Sequence, residues 1–254
     1  MGVVNVTPDS FANGGRFLDP QAAVAHARRL MEEGADLLDI GGESSRPGAR
    51  AVAEEEELRR VLPVLTALKD VPVSVDTRRP LVMRAVLAEG ASMINDIGAL
   101  AAPGALEAVA GGDCAVCLMH KKGEPATMQQ APRYADVVGE VRDFLAARIA
   151  ACDKAAIRRE RICIDPGFGF GKTPEHNFRL LRELRTLAQL GVPVLAGWSR
   201  KSTLGTVTGR PVEERLAASL AAALLALQAG ATILRVHDVK ETRDVIAVWR
   251  AWCR

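Results

Sequence analysis

"VPVSVDTRRPLVMRAVLAEGASMIND", residues 71–96, holds one full period of this chain. Two short apolar runs, 71–76 and 91–96, close on polar residues: Asp76 in the first, Asn95 and Asp96 in the second. Between them, residues 79–89 carry a helical pattern that ends before Gly90. A glycine there suits a helix stop, because a residue without a Cβ takes the left-handed turn at little cost. Strand, helix and strand in this order predict two parallel strands whose downstream tips carry polar groups.

The unit recurs along the whole chain. Apolar runs fall at 3–6, 36–40, 71–76, 91–96, 114–120, 161–165, 192–197 and 231–237. Helical patterns are predicted at 20–33, 79–89, 103–110, 134–154, 175–190, 212–229 and 240–252, with Gly34, Gly90, Gly191 and Gly230 as stops. A further helix places Leu58, Val61, Leu62, Leu65 and Leu68 on one stripe. Its acidic start, residues 54–57, suits the positive end of the helix dipole. Pro63 inside it implies a kink or a late helix start. About eight strand–helix units in 254 residues give the expected fold class: α/β, a (β/α)₈ TIM barrel, one domain over residues 1–254. A doubly wound open sheet is the alternative, since periodicity does not report closure.

Asn5, Asp39, Asp76, Asn95, Asp96, His120, Asp165 and His237 all stand at or just past the downstream ends of apolar runs. In a closed barrel these ends form one mouth, where such folds do their chemistry. Each residue alone also suits a cap or turn. The connections 7–19, 41–53 and 121–133 are long and rich in Gly, Pro, Ser and charge, which fits loops that clamp a substrate.

Lys and Arg total 33 against 31 for Asp and Glu, a net charge of +2, so no dedicated nucleic-acid surface is expected. No apolar run has the length of a membrane span, and the expected location is the cytoplasm. The five cysteines are too scattered for a disulfide framework. Cys114 and Cys117 form a C-x-x-C, but on a strand they point to opposite faces and suit small buried apolar positions rather than a metal or redox pair.

The stretch "IDPGFGFGKTPEHN", 164–177, resembles a phosphate-binding loop without matching one. Pro166 stands where the first P-loop glycine belongs, and it offers no N–H to a phosphate. Lys172 occupies the place of the third glycine of a dinucleotide fingerprint. An acid at a strand end, Asp165, followed by a glycine turn is what remains.

"MGVVNVTPDSFANGG", "DIGGESSRPGA", "VDTRRP", "INDI", "LMH", "DPGFGFGKT", "GWSRKSTLG" and "RVHDV" occur in that order, each at a predicted strand end. On these motifs the chain resembles the dihydropteroate synthase family along nearly its whole length, a family of TIM barrels. The resemblance implies condensation of 6-hydroxymethyl-7,8-dihydropterin diphosphate with 4-aminobenzoate, Mg²⁺ dependence, sulfonamide targeting and a homodimer. It implies small-molecule substrates and neither a nucleic-acid nor a membrane partner. It assigns the pterin to Asp76, Asn95, Ile97, Met119, Asp165, Phe170, Gly197, Lys201 and Arg235. The diphosphate falls to Asn5, Arg46, Arg235 and His237, with Asn5 as the protein ligand to Mg²⁺. The 4-aminobenzoate falls to Phe11, Ser45, Arg46, Pro47 and Ser202. Asp76, Lys201, Arg235 and His237 carry catalysis, Lys172 braces its loop, and Arg200 is structural.

The residue chemistry agrees with these assignments. Carboxylates and amides return the hydrogen bonds of a flat donor-rich edge. Arginine suits bidentate phosphate contact, and Arg235 sits inside an apolar run where a bulk-solvent role is hard to accommodate. Met119 alternates with Cys117 and suits an ordinary core position as well, and His237 also suits a structural role. Three departures stand out. The sequence begins directly at strand one, where relatives usually carry a short extension closing the barrel bottom. Gly98 and Ala99 replace larger or charged residues, and Lys121 and Lys122 replace an apolar–Gln pair. Two alternatives share the barrel: a corrinoid-dependent methyltransferase domain acting on methyl-tetrahydrofolate, and a pterin-binding paralogue without turnover.

Overall fold

The computed structural model of the chain describes residues 1–7, 19–44, 52–124 and 127–254. Eight strands run parallel: β1 (Gly2–Asn5), β2 (Leu38–Gly41), β3 (Val73–Asp76), β4 (Met93–Asp96), β5 (Ala115–Met119), β6 (Ile162–Asp165), β7 (Leu195–Ala196) and β8 (Ile233–Leu234). Neighbours pair in sequence order from β1 to β6, and β7 pairs with β8. Two single bridges close the ring, Ile164 to Val194 and Gly2 to Val236. Val3 N–H donates to Val236 O and Val236 N–H to Met1 O, both at 3.0 Å. An open sheet would leave those backbone groups at an edge, so the barrel reading holds and the doubly wound one does not.

Around the barrel lie α1 (Pro20–Glu32), α2 (Glu54–Ala67), α3 (Pro80–Ala88), α4 (Ala105–Ala110), α5 (Val137–Lys154), α6 (Pro174–Arg182), α7 (Leu184–Ala188), α8 (Ser202–Thr208), α9 (Leu216–Gln228) and α10 (Val239–Trp252). Their starts have local causes. Asp19 accepts from Gln21 N–H ahead of α1, and Thr173 and His176 form a reciprocal capping box at α6. The four glycine stops expected from the sequence take positive φ, from 78° at Gly191 to 105° at Gly230. Helix α2 begins at Glu54 and runs through Pro63, so a late start is not what occurs. The helix expected at 175–190 breaks at Glu183, and the one at 212–229 opens with a short 3₁₀ turn before α9.

Helix α8 was not legible in the sequence. Its "STLGTVT" is β-branched and glycine-containing, a poor helix former by itself. Support comes from outside: Arg215 donates to the carbonyls of Arg200 (3.2 Å) and Lys201 (3.5 Å), and its guanidinium covers Gly205 so closely that a Cβ would lie 2.2 Å from Nη2.

The strands bury both faces. Outward residues such as Val4, Ile40, Val75, Ile94, Val116, Leu118 and Ile164 join the helices in one large core. Inside the barrel, Met93, Cys117, Cys163 and Leu195 form a separate apolar plug. Cys117 is thus the small buried residue expected of it, while Cys114 is half-buried, its Sγ 4.0 Å from Val109 O; all five cysteines are unpaired thiols. Among the described residues, no helix is long and apolar enough to cross a membrane.

Candidate active site

Above the apolar plug the barrel interior turns polar. Arg235 leaves β8 toward the axis, and its Nε donates to Asp39 Oδ2 at 2.6 Å while Nη2 reaches Asp76 Oδ2 at 3.3 Å. Asn95 Nδ2 donates to the same Asp39 oxygen at 3.1 Å. Asp39 has no exposed surface, and its other oxygen has no hydrogen-bond partner in the structure. Two acids therefore share one cation in a space that water reaches poorly. Burial first, then the charge of Asp39, lift the Asp76 pKa to about 8 against the opposing pull of Arg235. Burial works against the Arg235 charge as well, but Asp39 and Asp76 outweigh it and its pKa is raised.

The glycine loop after β6 is built for close packing. Gly167, Gly169 and Gly171 take φ of 68°, 81° and 65°. A Cβ on Gly167 would lie 1.9 Å from the His120 carbonyl oxygen, and one on Gly171 would lie 2.2 Å from that of Lys122. Only hydrogen fits at these two approaches. The loop amides are already committed: Gly167 N–H to Asp165 Oδ1 (2.7 Å), Gly169 N–H to Asn177 Oδ1 (2.8 Å) and Phe170 N–H to Gly167 O (3.1 Å). A phosphate cradle needs such groups unspent, which disposes of the P-loop reading. Lys172, 3% exposed, donates inward to Gly167 O (3.0 Å) and Phe170 O (3.1 Å) and meets His120 Nδ1 at 2.9 Å. Burial lowers its pKa to about 7. Burial, then the adjacent Lys172 charge, hold His120 down at about 3. Lys172 braces the loop, as expected. Asp165 itself is raised by burial, with its Gly167 bond and the charge of Lys201 opposing.

The turn after β7 supplies the third side. Lys201 Nζ stands 4.2 Å from the centroid of the Phe170 ring, a cation–π distance. Arg200, at φ 59°, grips Asp238 through Nε (3.1 Å) and Nη2 (2.5 Å) and also borders the cavity. His237 Nδ1 meets Ser199 Oγ at 2.9 Å, and the His237 N–H donates to that oxygen at 3.2 Å.

These elements enclose a cavity of about 400 Å³, large enough for a bicyclic heterocycle with a second small molecule. Asn5, Asp76, Phe170, Gly197, Lys201, Ser202, Arg235 and His237 line it. Asn95, Met119 and Asp165 are buried in the barrel rather than on its surface. Ile97, also buried, borders a neighbouring depression with Arg78, Lys121 and Phe144. Phe11, Ser45, Arg46 and Pro47 lie outside the described residues. Thr7, Glu43, Ser44, Ser199, Val212 and Arg215 line the cavity as well, beyond the site residues expected from the sequence, and Asp39 reaches it through Arg235.

The departures find local explanations. Gly98 N–H donates to Asp96 Oδ1 at 2.6 Å, and a Cβ at Gly98 would stand 3.1 Å from that oxygen. Lys121 pairs with Glu124 (2.9 Å) and Lys122 with Glu140 (3.0 Å), tying down the fifth loop.

Among the described residues no three His, Cys, Asp or Glu side chains gather as a metal site. Asn5 still offers one hard amide oxygen, and the space beside it is kept open by Gly41, whose Cβ would stand 3.7 Å from Asn5 Oδ1. One neutral oxygen donor fits an ion that keeps waters and takes phosphate oxygens, as Mg²⁺ does.

Fold and mouth together define a (β/α)₈ barrel of the enzyme kind, with buried acids and cations around one small-molecule cavity. The family described as pterin binding enzyme matches residues 1–237. A dihydropteroate synthase of Haemophilus influenzae is 48% identical over 254 residues, covering 99% of this chain and 92% of that protein. The Yersinia pestis dihydropteroate synthase, solved with a sulfonamide drug, superposes with a TM-score of 0.96 at 45% identity, over 99% of this chain and 93% of that one. The Xanthomonas albilineans enzyme with 4-aminobenzoic acid gives 0.93 at 57% identity, over 99% and 92%. The chain belongs to the pterin binding enzymes and, among them, to the dihydropteroate synthases, which are transferases.

Proposed function

We propose that this mouth joins 6-hydroxymethyl-7,8-dihydropterin diphosphate to 4-aminobenzoate, giving 7,8-dihydropteroate and pyrophosphate. The observation that carries the reading is the Arg235 guanidinium set between Asp39 and Asp76 at the inner end of the cavity. The Xanthomonas albilineans relative, 54–57% identical, holds 4-aminobenzoic acid in one structure and 7,8-dihydropteroate in another, and this supports it.

In this reading Asp76, Asn95 and Asp165 accept and return the hydrogen bonds of the pterin edge, while Ile97, Met119, Phe170 and Gly197 bound its faces. Arg235, His237, Arg46 and Asn5 receive the diphosphate, and Lys201 stands between the two substrates. Ser202, with Phe11, Ser45, Arg46 and Pro47, takes the 4-aminobenzoate. The bond from the exocyclic methylene to the diphosphate oxygen breaks first, and its electron pair leaves with pyrophosphate. The electron-rich pterin spreads the positive charge left on the methylene carbon. The aniline nitrogen then attacks that carbon and releases a proton to solvent. Positioning and electrostatic stabilisation supply the rate, and no strong general base is needed. Mg²⁺, when bound with Asn5, neutralises part of the diphosphate charge. The assay is pyrophosphate release that requires both 4-aminobenzoate and Mg²⁺. Pterin binding without that release would leave a non-catalytic barrel.

We also propose a homodimer working in the cytoplasm. Five unpaired thiols suit a reducing compartment. The outer side of α9 and α10 exposes Leu225 (48%), Val248 (67%) and Trp252 (72%). Large exposed apolar side chains on two helices that pack together suit a face covered in the dimer. Leu225→Glu is expected to shift the sedimenting species from dimer to monomer; an unchanged dimer would place the interface elsewhere.

A further inference from the structure

Asn177 has no exposed surface, yet it is a polar residue in the first turns of α6. Its amide is used at both ends. Oδ1 accepts the Gly169 N–H at 2.8 Å, and Nδ2 donates to Thr203 Oγ1 at 2.9 Å. Gly169 precedes Phe170 in the loop after β6, while Thr203, 4% exposed, follows Lys201 and Ser202 at the start of α8. One buried side chain therefore spans two adjoining loops that both line the cavity.

The two loops also meet directly. Beyond the 4.2 Å approach of Lys201 Nζ to the Phe170 ring, a Cβ on Gly169 would lie 3.4 Å from Lys201 Cδ. That stack depends on the register between the loops. Gln129 Nε2 donates to Gly169 O from the fifth loop, so Gly169 is held from both sides, and the Asn177 amide ties it by hydrogen bonds to the start of α8 beside Lys201. A buried amide with both ends satisfied specifies one arrangement, because any slip leaves a desolvated donor or acceptor without a partner.

We infer that Asn177 is a positioning residue that locks the Phe170 loop to the Lys201–Ser202 turn, so that filling the pterin subsite presets the 4-aminobenzoate subsite. The inference rests on the dihydropteroate synthase reading for the identity of the two ligands. Asn177 touches neither substrate; it acts through Phe170 and Lys201.

The test uses the full chain with Asn177→Ala, Asn177→Asp, Thr203→Val and the double variant Asn177→Ala/Thr203→Val. Aspartate keeps the acceptor for Gly169 and lets the Thr203 hydroxyl donate in place of accepting, whereas valine removes that end of the bond altogether. Asn177→Ala is expected to raise KM for 4-aminobenzoate about tenfold, the worth of one well-made buried hydrogen bond, with KM for the pterin diphosphate moving far less. Thr203→Val should reproduce most of that rise, whereas Asn177→Asp, which accepts from the Thr203 hydroxyl, should keep the link and give a smaller one. The double variant should be no worse than Asn177→Ala, since both changes break one link. A purely structural role would lower the melting temperature and active fraction while leaving both KM values alone, and that result overturns the inference. So would effects of the two substitutions that multiply. If wild-type enzyme releases no pyrophosphate, the catalytic reading falls by itself. Calorimetric titration of 4-aminobenzoate, with and without 6-hydroxymethylpterin and pyrophosphate, then decides the coupling: it is upheld if the pterin-induced gain in affinity shrinks in Asn177→Ala and refuted if the gain is unchanged.

Discussion

Arg235→Met is expected to abolish measurable turnover and to cost the fold about 3–5 kcal/mol, the usual penalty for stranding a buried partner of an ion pair. The cause lies in what methionine leaves behind. Asp39 has no exposed surface and Asp76 only 13%, and Arg235 bonds to both. Without the guanidinium, Asp39 keeps one bond to Asn95 and faces a second carboxyl across the barrel. Methionine matches the volume, so the loss is electrostatic rather than a cavity effect. In a chain of this size, that destabilisation lowers the melting temperature by roughly 10 °C. Calorimetry and the pyrophosphate assay read the two effects separately. A variant melting with wild type would mean that the triad is not held as described.

Asp76→Asn acts on the same triad with the opposite effect on stability. Activity is expected to fall by about 100-fold or more, since the donor edge of the pterin can draw Asp76 into its ionised, accepting form and asparagine has no such form. The fold does not weaken. The Asp76 pKa is about 8 in the folded chain against an ordinary 3.8, so the native state holds a proton that the unfolded chain has released. Its contribution to stability is complete below about pH 4 and is lost as pH rises toward and through about 8. Asparagine does not titrate, so the melting temperature of Asp76→Asn should gain on wild type across that window. Thermal melts at pH 5 and pH 8.5 check the sign. A variant that loses ground with rising pH would show that Asp76 is ionised and stabilising in the unliganded protein.

How far the site could be read in the sequence depended on where each partner lay. Asp165 and the glycines after it announced a strand end and a tight turn, because the residues that shape that turn are neighbours in the chain. Spacing spoke against a phosphate role for Lys172, and the committed loop amides then removed it. Asn177 and Arg215 gave no such signal, for their partners are backbone and hydroxyl groups of loops brought up by folding. Helix α8 stayed hidden for the same reason: its own residues favour no helix, and Arg215 supports it from another element.

By itself the sequence determined the alternation of strand and helix, the glycine stops, and the polar residues at the downstream tips, because each follows from local periodicity and backbone sterics. Tertiary structure alone decided that Gly2 meets Val236 and closes the ring, and that Arg235 crosses 196 positions of sequence to lie between Asp39 and Asp76. Periodicity tells which face a side chain takes, whereas which distant tips converge depends on every strand pairing in between, and the charges in that mouth acquire their shifted proton affinities only once those pairings exclude water.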